Sequence, residues 1–121
     1  MLDVIVLILI TVVIASFAQI FMKRGLVESG GIELGEILSK KLFSTVFQPY
    51  IFTGLILYSI TSVLWFVILS KAELSLVYPL IALGYVVTAV LAKLFFNESI
   101  STIRWLGIIV IIVGAVLIIK S

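Results

Sequence analysis

The chain has few side chains able to do chemistry, and their types narrow what that chemistry is. Gln19, Lys23, Ser62, Tyr78, Tyr85 and Lys93 lie in or at the edge of long apolar runs, and Arg24 follows Lys23 directly. All of these groups donate hydrogen bonds, and the two lysines and the arginine are cations. Such a set suits the wall of a cavity for a polar or anionic group. The acidic residues, Asp3, Glu28, Glu33, Glu36, Glu73 and Glu98, fall at the ends of the apolar runs or in loops. A carboxylate at membrane depth is the usual relay for protons and cations. Its absence disfavours a pump that exchanges protons for lipophilic cations. Cysteine and histidine are both absent. That removes thiolate nucleophiles, cysteine-held metals and the commonest general base.

The spacing puts these groups on helix faces. Ser16, Gln19 and Lys23 follow i, i+3, i+7, and Tyr58, Ser62 and Trp65 follow i, i+4, i+7. Tyr78, Ala82, Tyr85, Ala89 and Ala92 form a third stripe, with Lys93 at its edge. Polar groups at membrane depth need a partner or an aqueous cavity. The same residues also suit interhelical hydrogen bonds, an aromatic belt at the interface for Tyr78, and lysines that snorkel to the headgroups.

The elements that must position them are membrane helices. Of 121 residues, 64% are hydrophobic and 12% charged. Soluble domains are about 45–50% apolar and about 25% charged. A short chain cannot hide so much apolar surface in one globular core. Four segments, about 4–23, 50–70, 76–96 and 104–119, have the length and apolarity to cross a bilayer. The first begins with Asp3 and no Lys or Arg, which argues for a retained helix and not a cleaved signal. Pro49 precedes the second span, and Pro79 is expected in the first turn of the third. Very short links near Lys71-Ala72-Glu73 and Asn97-Glu98-Ser99 force antiparallel neighbours. The expected fold is an all-α, four-span antiparallel bundle in a single domain.

The one long connection contains Leu34, Ile37, Leu38, Leu42 and Val46 at helical spacing, with Glu33, Glu36, Lys40 and Lys41 between them. An amphipathic interfacial helix is expected over about 32–47. In the fourth span Gly107 and Gly114 stand one heptad apart, a spacing that lets another helix approach closely. That span is the candidate for helix packing or dimer contact. Lys23, Arg24, Lys40, Lys41, Lys93 and Arg104 fall on one side of the membrane, against Lys71 and Lys120 on the other. The positive-inside rule therefore puts loops one and three in the cytoplasm and both termini outside.

Further motifs resemble a known family. Ser75-Leu76-Val77-Tyr78-Pro79-Leu80, Lys93-Leu94-Phe95-Phe96-Asn97-Glu98, Ile103-Arg104-Trp105-Leu106-Gly107 and Gly114-Ala115-Val116-Leu117-Ile118 resemble the drug/metabolite transporter superfamily. Among its small four-helix members, the chain is more similar to subunits of the aminoarabinose-phosphoundecaprenol flippase than to small multidrug resistance pumps. Ala18-Gln19…Lys23, the Tyr78-Pro79 start and the Lys93…Glu98 ending carry that similarity. Those pumps hold a membrane-embedded glutamate in the first helix; here the same depth falls at Ala15 or Ser16. The resemblance implies a transporter or flippase component, not an enzyme, and no cofactor. Its substrate would be a polyprenyl-phosphate-linked sugar or a related anionic lipid. Lys23 and Lys93, with Arg24 nearby, would attract the phosphate. Gln19, Ser62, Tyr78 and Tyr85 would hydrogen-bond the headgroup. It also implies a homodimer, or a heterodimer with another small four-helix subunit, because longer members contain two oppositely oriented halves. An exporter of cationic compounds and a non-transporting assembly subunit are the alternatives.

The charge bias carries its own test. Alkaline phosphatase fused after Ser121 should be active in the periplasm of a Gram-negative host, and a fluorescent protein at the same site dark. The reverse pattern would overturn the assigned orientation.

Overall fold

A computed structural model describes residues 2–121. It contains α1 (Leu2–Glu28), α2 (Lys40–Val46), α3 (Pro49–Lys71), α4 (Leu74–Ile81), α5 (Gly84–Phe96) and α6 (Thr102–Lys120), with a single 3₁₀ turn at Leu34–Glu36. α4 and α5 together make one bent span, Leu74–Phe96, so four segments are long and apolar enough to cross a membrane. No strand occurs among the described residues. The protein is an all-α, four-span membrane protein.

Local chemistry sets most of the helix ends. Gln48 caps α3 by accepting a hydrogen bond from the Ile51 N–H at 3.0 Å, with Pro49 in the first turn. Ser101 caps α6, accepting from the Arg104 N–H at 3.2 Å. Asn97 ends α5 in the left-handed region at φ 51°, a conformation asparagine tolerates better than most residues.

The central contact is between α1 and α3. α1 also packs on α5 and α4, while α6 joins the bundle chiefly through α4. Lipid tails supply no hydrophobic drive between helices, so close van der Waals packing over small residues must hold them. The α1–α3 seam shows this. A Cβ on Gly54 would lie 2.6 Å from Met22 Cγ and 2.7 Å from the Ala18 carbonyl oxygen. Gly25 is pressed the same way against the Gln48 and Ile51 side chains. The apolar core, Ile8, Val12, Ile68, Val77, Leu80 and Ala115, lies toward the end of the bundle that carries the termini.

Two elements differ from the sequence expectation. α4 starts at Leu74, two residues before the expected start of the third span, so Pro79 falls inside the helix. The span then breaks at Ala82–Leu83. Around the break the backbone ladder tightens to i−3 bonds: Leu83 N–H to Leu80 O, Tyr85 N–H to Ala82 O and Val86 N–H to Leu83 O, at 3.0–3.1 Å. Pro79 supplies no N–H and crowds the turn before it, which stays helical, so the break three residues further on follows from the i−3 bonding and not from the proline ring. In the long loop, the amphipathic segment is divided. Ser39 is extended, donates to the Glu36 carbonyl at 2.7 Å and accepts from the Lys41 N–H at 3.3 Å. It thereby stops the 3₁₀ turn and starts α2 as a short separate helix. Lys41, and then the Glu33 N–H, hold the Glu36 carboxyl below the usual carboxylate range. Leu34, Leu38, Phe43 and Phe47 stay exposed on this loop.

Overpacking the seam should be costly. Gly54→Ala should lower stability by about 1–3 kcal/mol, while Gly107→Ala, where a Cβ meets nothing within 4 Å, should stay within about 0.5 kcal/mol. Equilibrium unfolding of the two variants in detergent micelles checks the contrast.

Candidate functional site

α1, α3 and the bent α4–α5 span wall a groove of about 680 Å³. From α1 it receives Thr11, Val12, Ala15, Ser16 and Gln19. From α3 come Tyr58, Thr61, Ser62 and Trp65, and from the bent span Tyr78, Ile81, Ala82, Gly84, Tyr85 and Thr88. No described residue of α6 lines it. The bend matters here, because residues at and beside the break form part of the wall. Gly84 lets α1 press close: a Cβ there would sit 2.8 Å from Val12 Cγ1. Ser16 donates to the Val12 carbonyl at 2.8 Å and lies 3.5 Å from the Gly84 carbonyl, while Thr88 donates to Ser16 Oγ at 3.2 Å. This chain of hydroxyls ties α1 to the start of α5.

The groove has a mainly apolar wall set with polar groups and no charged side chain. Thr11, Thr61 and Ser62 spend their hydroxyl protons on carbonyls of their own helices. What they turn outward is therefore acceptor lone pairs. Donors come from the phenols of Tyr58, Tyr78 and Tyr85, the Gln19 amide and the Trp65 indole. Trp65 and Tyr78 meet edge to face at 5.7 Å and 88°, which links α3 to α4. Aromatic faces with mixed donors and acceptors suit a hydroxylated or amino-bearing ring. They supply no charge to hold a phosphate.

Of the residues singled out by sequence, Gln19, Ser62, Tyr78 and Tyr85 line this groove. Lys23, Arg24 and Lys93 do not. Lys23 follows Gln19 by one turn of α1 and forms an ion pair with Glu98, its ammonium also lying 5.0 Å from the Phe96 ring centroid. Arg24 turns to Glu28 at 3.6 Å and to the Tyr50 ring at 5.3 Å. Lys93 lies over the Trp105 ring at 5.9 Å and has no carboxylate partner among the described residues. Gly107 and Gly114 face open space, in a stripe with Ile103, Val110 and Leu117 on the side of α6 away from the buried Ile108 and Ala115. Thr88 is a wall residue that the sequence analysis did not single out. Its spacing of i+3 from Tyr85, on the same face, was the available signal.

A family model described as the EamA-like transporter family matches residues 36–120. The relative named "probable 4-amino-4-deoxy-L-arabinose-phosphoundecaprenol flippase subunit ArnF" from Photorhabdus laumondii is 32% identical over 118 residues, covering 91% of this chain and 91% of its own. The protein of the same name from Proteus mirabilis is 32% identical, over 87% of this chain and 83% of its own. The corresponding subunit ArnE from Aeromonas salmonicida is 33% identical over 72 residues, 60% of this chain and 63% of its own. The chain spans about three fifths of the length of the first curated relatives it matches, 63% and 61%. No solved structure matches it.

The hydroxyl chain across the break is testable. Ser16→Ala should cost about 0.6 kcal/mol and no more than about 2 kcal/mol, the range of interhelical hydrogen bonds in membranes. Unfolding of wild type and Ser16→Ala in mixed micelles measures it, and Thr88→Val in both backgrounds shows whether the two hydroxyls act together.

Proposed function

The chain belongs to the EamA-like transporter family, and from that premise we propose that it is a flippase component. It moves a polyprenyl-phosphate-linked sugar, or a related anionic lipid, across the cytoplasmic membrane. The observation that carries the proposal is the separation of two chemistries along the bundle. An uncharged groove of phenols, an indole, an amide and hydroxyls lies between α1, α3 and the bent span. The basic groups Lys23, Arg24 and Lys93 stand apart from it, at the end that carries loops one and three. A glycosyl headgroup fits the first environment and a phosphodiester the second. The apolar tail stays in lipid through the open side of the groove, where Gln19, Tyr58, Ser62, Tyr78 and Tyr85 are exposed.

The relatives' names support the substrate class, since they describe flippase subunits for an amino-sugar phosphoundecaprenol. They also name two different subunits, which supports a paired assembly with a second small four-helix chain. The open α6 stripe around Gly107 and Gly114 would be the surface for that partner. The basic bias of loops one and three supports a fixed orientation with those loops in the cytoplasm.

Replacing both Lys23 and Lys93 by Gln should lower flipping of a fluorescent undecaprenyl-phosphate glycan at least about ten-fold, because each charge-assisted contact to phosphate is worth about 1.5–3 kcal/mol. The assay uses proteoliposomes containing this chain with its partner subunit, and a matched thermal unfolding curve establishes that the variant folds. Unchanged flipping in a folded double variant would remove the phosphate role. Protection of a sensitised host against quaternary ammonium compounds would point instead to a cation exporter.

A further inference from the structure

Lys23 is already occupied. Its ammonium pairs with the Glu98 carboxylate, from a residue 75 positions along the chain in the link between α5 and α6. It also lies over the Phe96 ring at the end of α5. Both partners keep contact with solvent, with side chains 49% and 38% exposed. The pair stands outside the main apolar core cluster. That cluster takes Ile8 and Val12 from α1, well back from Lys23 toward the termini, while Ala18 and Ile20 of α1 and Ala92 of α5 are buried nearer the loop end. At the loop end, the α5–α6 link is joined to α1 by this charge contact. Lys23 also follows Gln19, a groove residue, by one turn, an axial step of about 6 Å.

We propose that Glu98 is a resident anion that holds Lys23 until a phosphate displaces it, so that loading an anionic headgroup opens this ion pair. The inference rests on the proposed phosphate-lipid reading and names the exchange that the reading requires. A half-exposed pair is weak, because water and ions screen it. A phosphodiester brings the ammonium the same single charge and two free oxygens as the carboxylate, but Lys93 can hold it as well, so the swap is favoured by one anion serving two cations at the loop end. Lys93 carries no carboxylate of its own among the described residues. It can engage the phosphate while Glu98 still holds Lys23. After release, Glu98 is free in the α5–α6 link, and the charge contact between α1 and that link is lost. Binding at the mouth of the groove thus loosens the same end of the bundle.

The test is a double-mutant cycle on Lys23 and Glu98. Wild type, Glu98→Gln, Lys23→Gln and the double variant are titrated in a neutral detergent, once with undecaprenyl phosphate and once with inorganic phosphate. Glu98→Gln should tighten binding about two- to five-fold, the range an exposed pair can supply. Lys23→Gln should weaken it, and in the Lys23→Gln background Glu98→Gln should have no further effect. Coupling with both probes assigns the exchange to the phosphate group itself, and coupling with the lipid alone assigns it to lipid-anchored phosphate. Binding by wild type with no tightening in Glu98→Gln, or equal tightening in both backgrounds, overturns the exchange and leaves the lipid reading standing. No binding of undecaprenyl phosphate by wild type overturns the lipid reading and the exchange with it. Glu98→Asp, which keeps the charge on a shorter arm, should tighten binding less, and it keeps the test decisive if Glu98→Gln does not fold.

Discussion

The close approach of α1 to α3 at Gly54 governs the rest of the bundle. With no side chain at 54, the α3 backbone comes within reach of the Ala18 carbonyl and Met22. Gly25 repeats the contact toward the start of α3. Helices in lipid gain little from burying apolar groups against one another, so contact over small residues must fix their position. That contact also fixes the rotation of α1. With Ala18, Met22 and Gly25 turned to α3, the helical repeat carries Val12, Ser16, Gln19 and Lys23 about a third of a turn round. There they meet Gly84 and Thr88, line the groove, or reach Glu98. One glycine thus sets the direction of a whole polar face.

The polar face is tolerable because most of it is satisfied locally. Thr11, Ser16, Thr61 and Ser62 each donate to a carbonyl of their own helix. No buried side-chain nitrogen or oxygen lacks a partner among the described residues. A hydroxyl bonded this way costs little in a low-dielectric setting, yet its lone pairs remain available to a ligand. The groups that do not bond back onto their own helix, such as Gln19 and the three phenols, sit on the exposed side of the groove. The arrangement therefore places its unspent hydrogen-bonding capacity where a ligand can enter.

Much of this was legible in the sequence, for clear physical reasons. Hydropathy marks a membrane span from composition alone, so the four helices were visible. The 3.6-residue repeat put Gln19, Tyr78 and Tyr85 on polar stripes of their helices without showing what those stripes faced. What could not be read depends on contacts between distant segments. Glu98 looked like a turn carboxylate, because nothing in the sequence joins position 98 to position 23. Gly54 and Gly84 carry no spacing signal that singles them out, while Gly107 and Gly114 stand one heptad apart. In the structure the first two carry close intrachain contacts and the second two carry none. The break at Ala82–Leu83 has no marker of its own in the sequence, since Pro79 lies three residues before it inside regular helix.

The α1–α3 seam stays closely packed at the loop end, but the α5–α6 link is held there by a different force, and the difference bears on the proposed exchange. Toward the termini, Ile8, Val12, Ile68, Val77, Leu80 and Ala115 pack into a continuous apolar core. Toward loops one and three, the α5–α6 link is fastened to α1 by Lys23 and Glu98 over the Phe96 ring. Apolar packing resists opening whatever ion arrives, whereas an exposed ion pair yields to a competing charge. The end that can yield is the end nearest the free Lys93 and the groove residue Gln19. The groove is also walled on three sides only, since α6 lies beyond α4 and turns its glycine stripe outward. A single chain thus supplies a polar half-passage with one charge-sensitive end. On the proposed reading, a second small subunit in the opposite orientation would dock on the α6 stripe and leave the open side of the groove to the lipid tail. It would bring its own charge-sensitive end to the other face of the membrane. That second end, on the same reading, is what a route through the whole bilayer needs and one copy of this fold lacks.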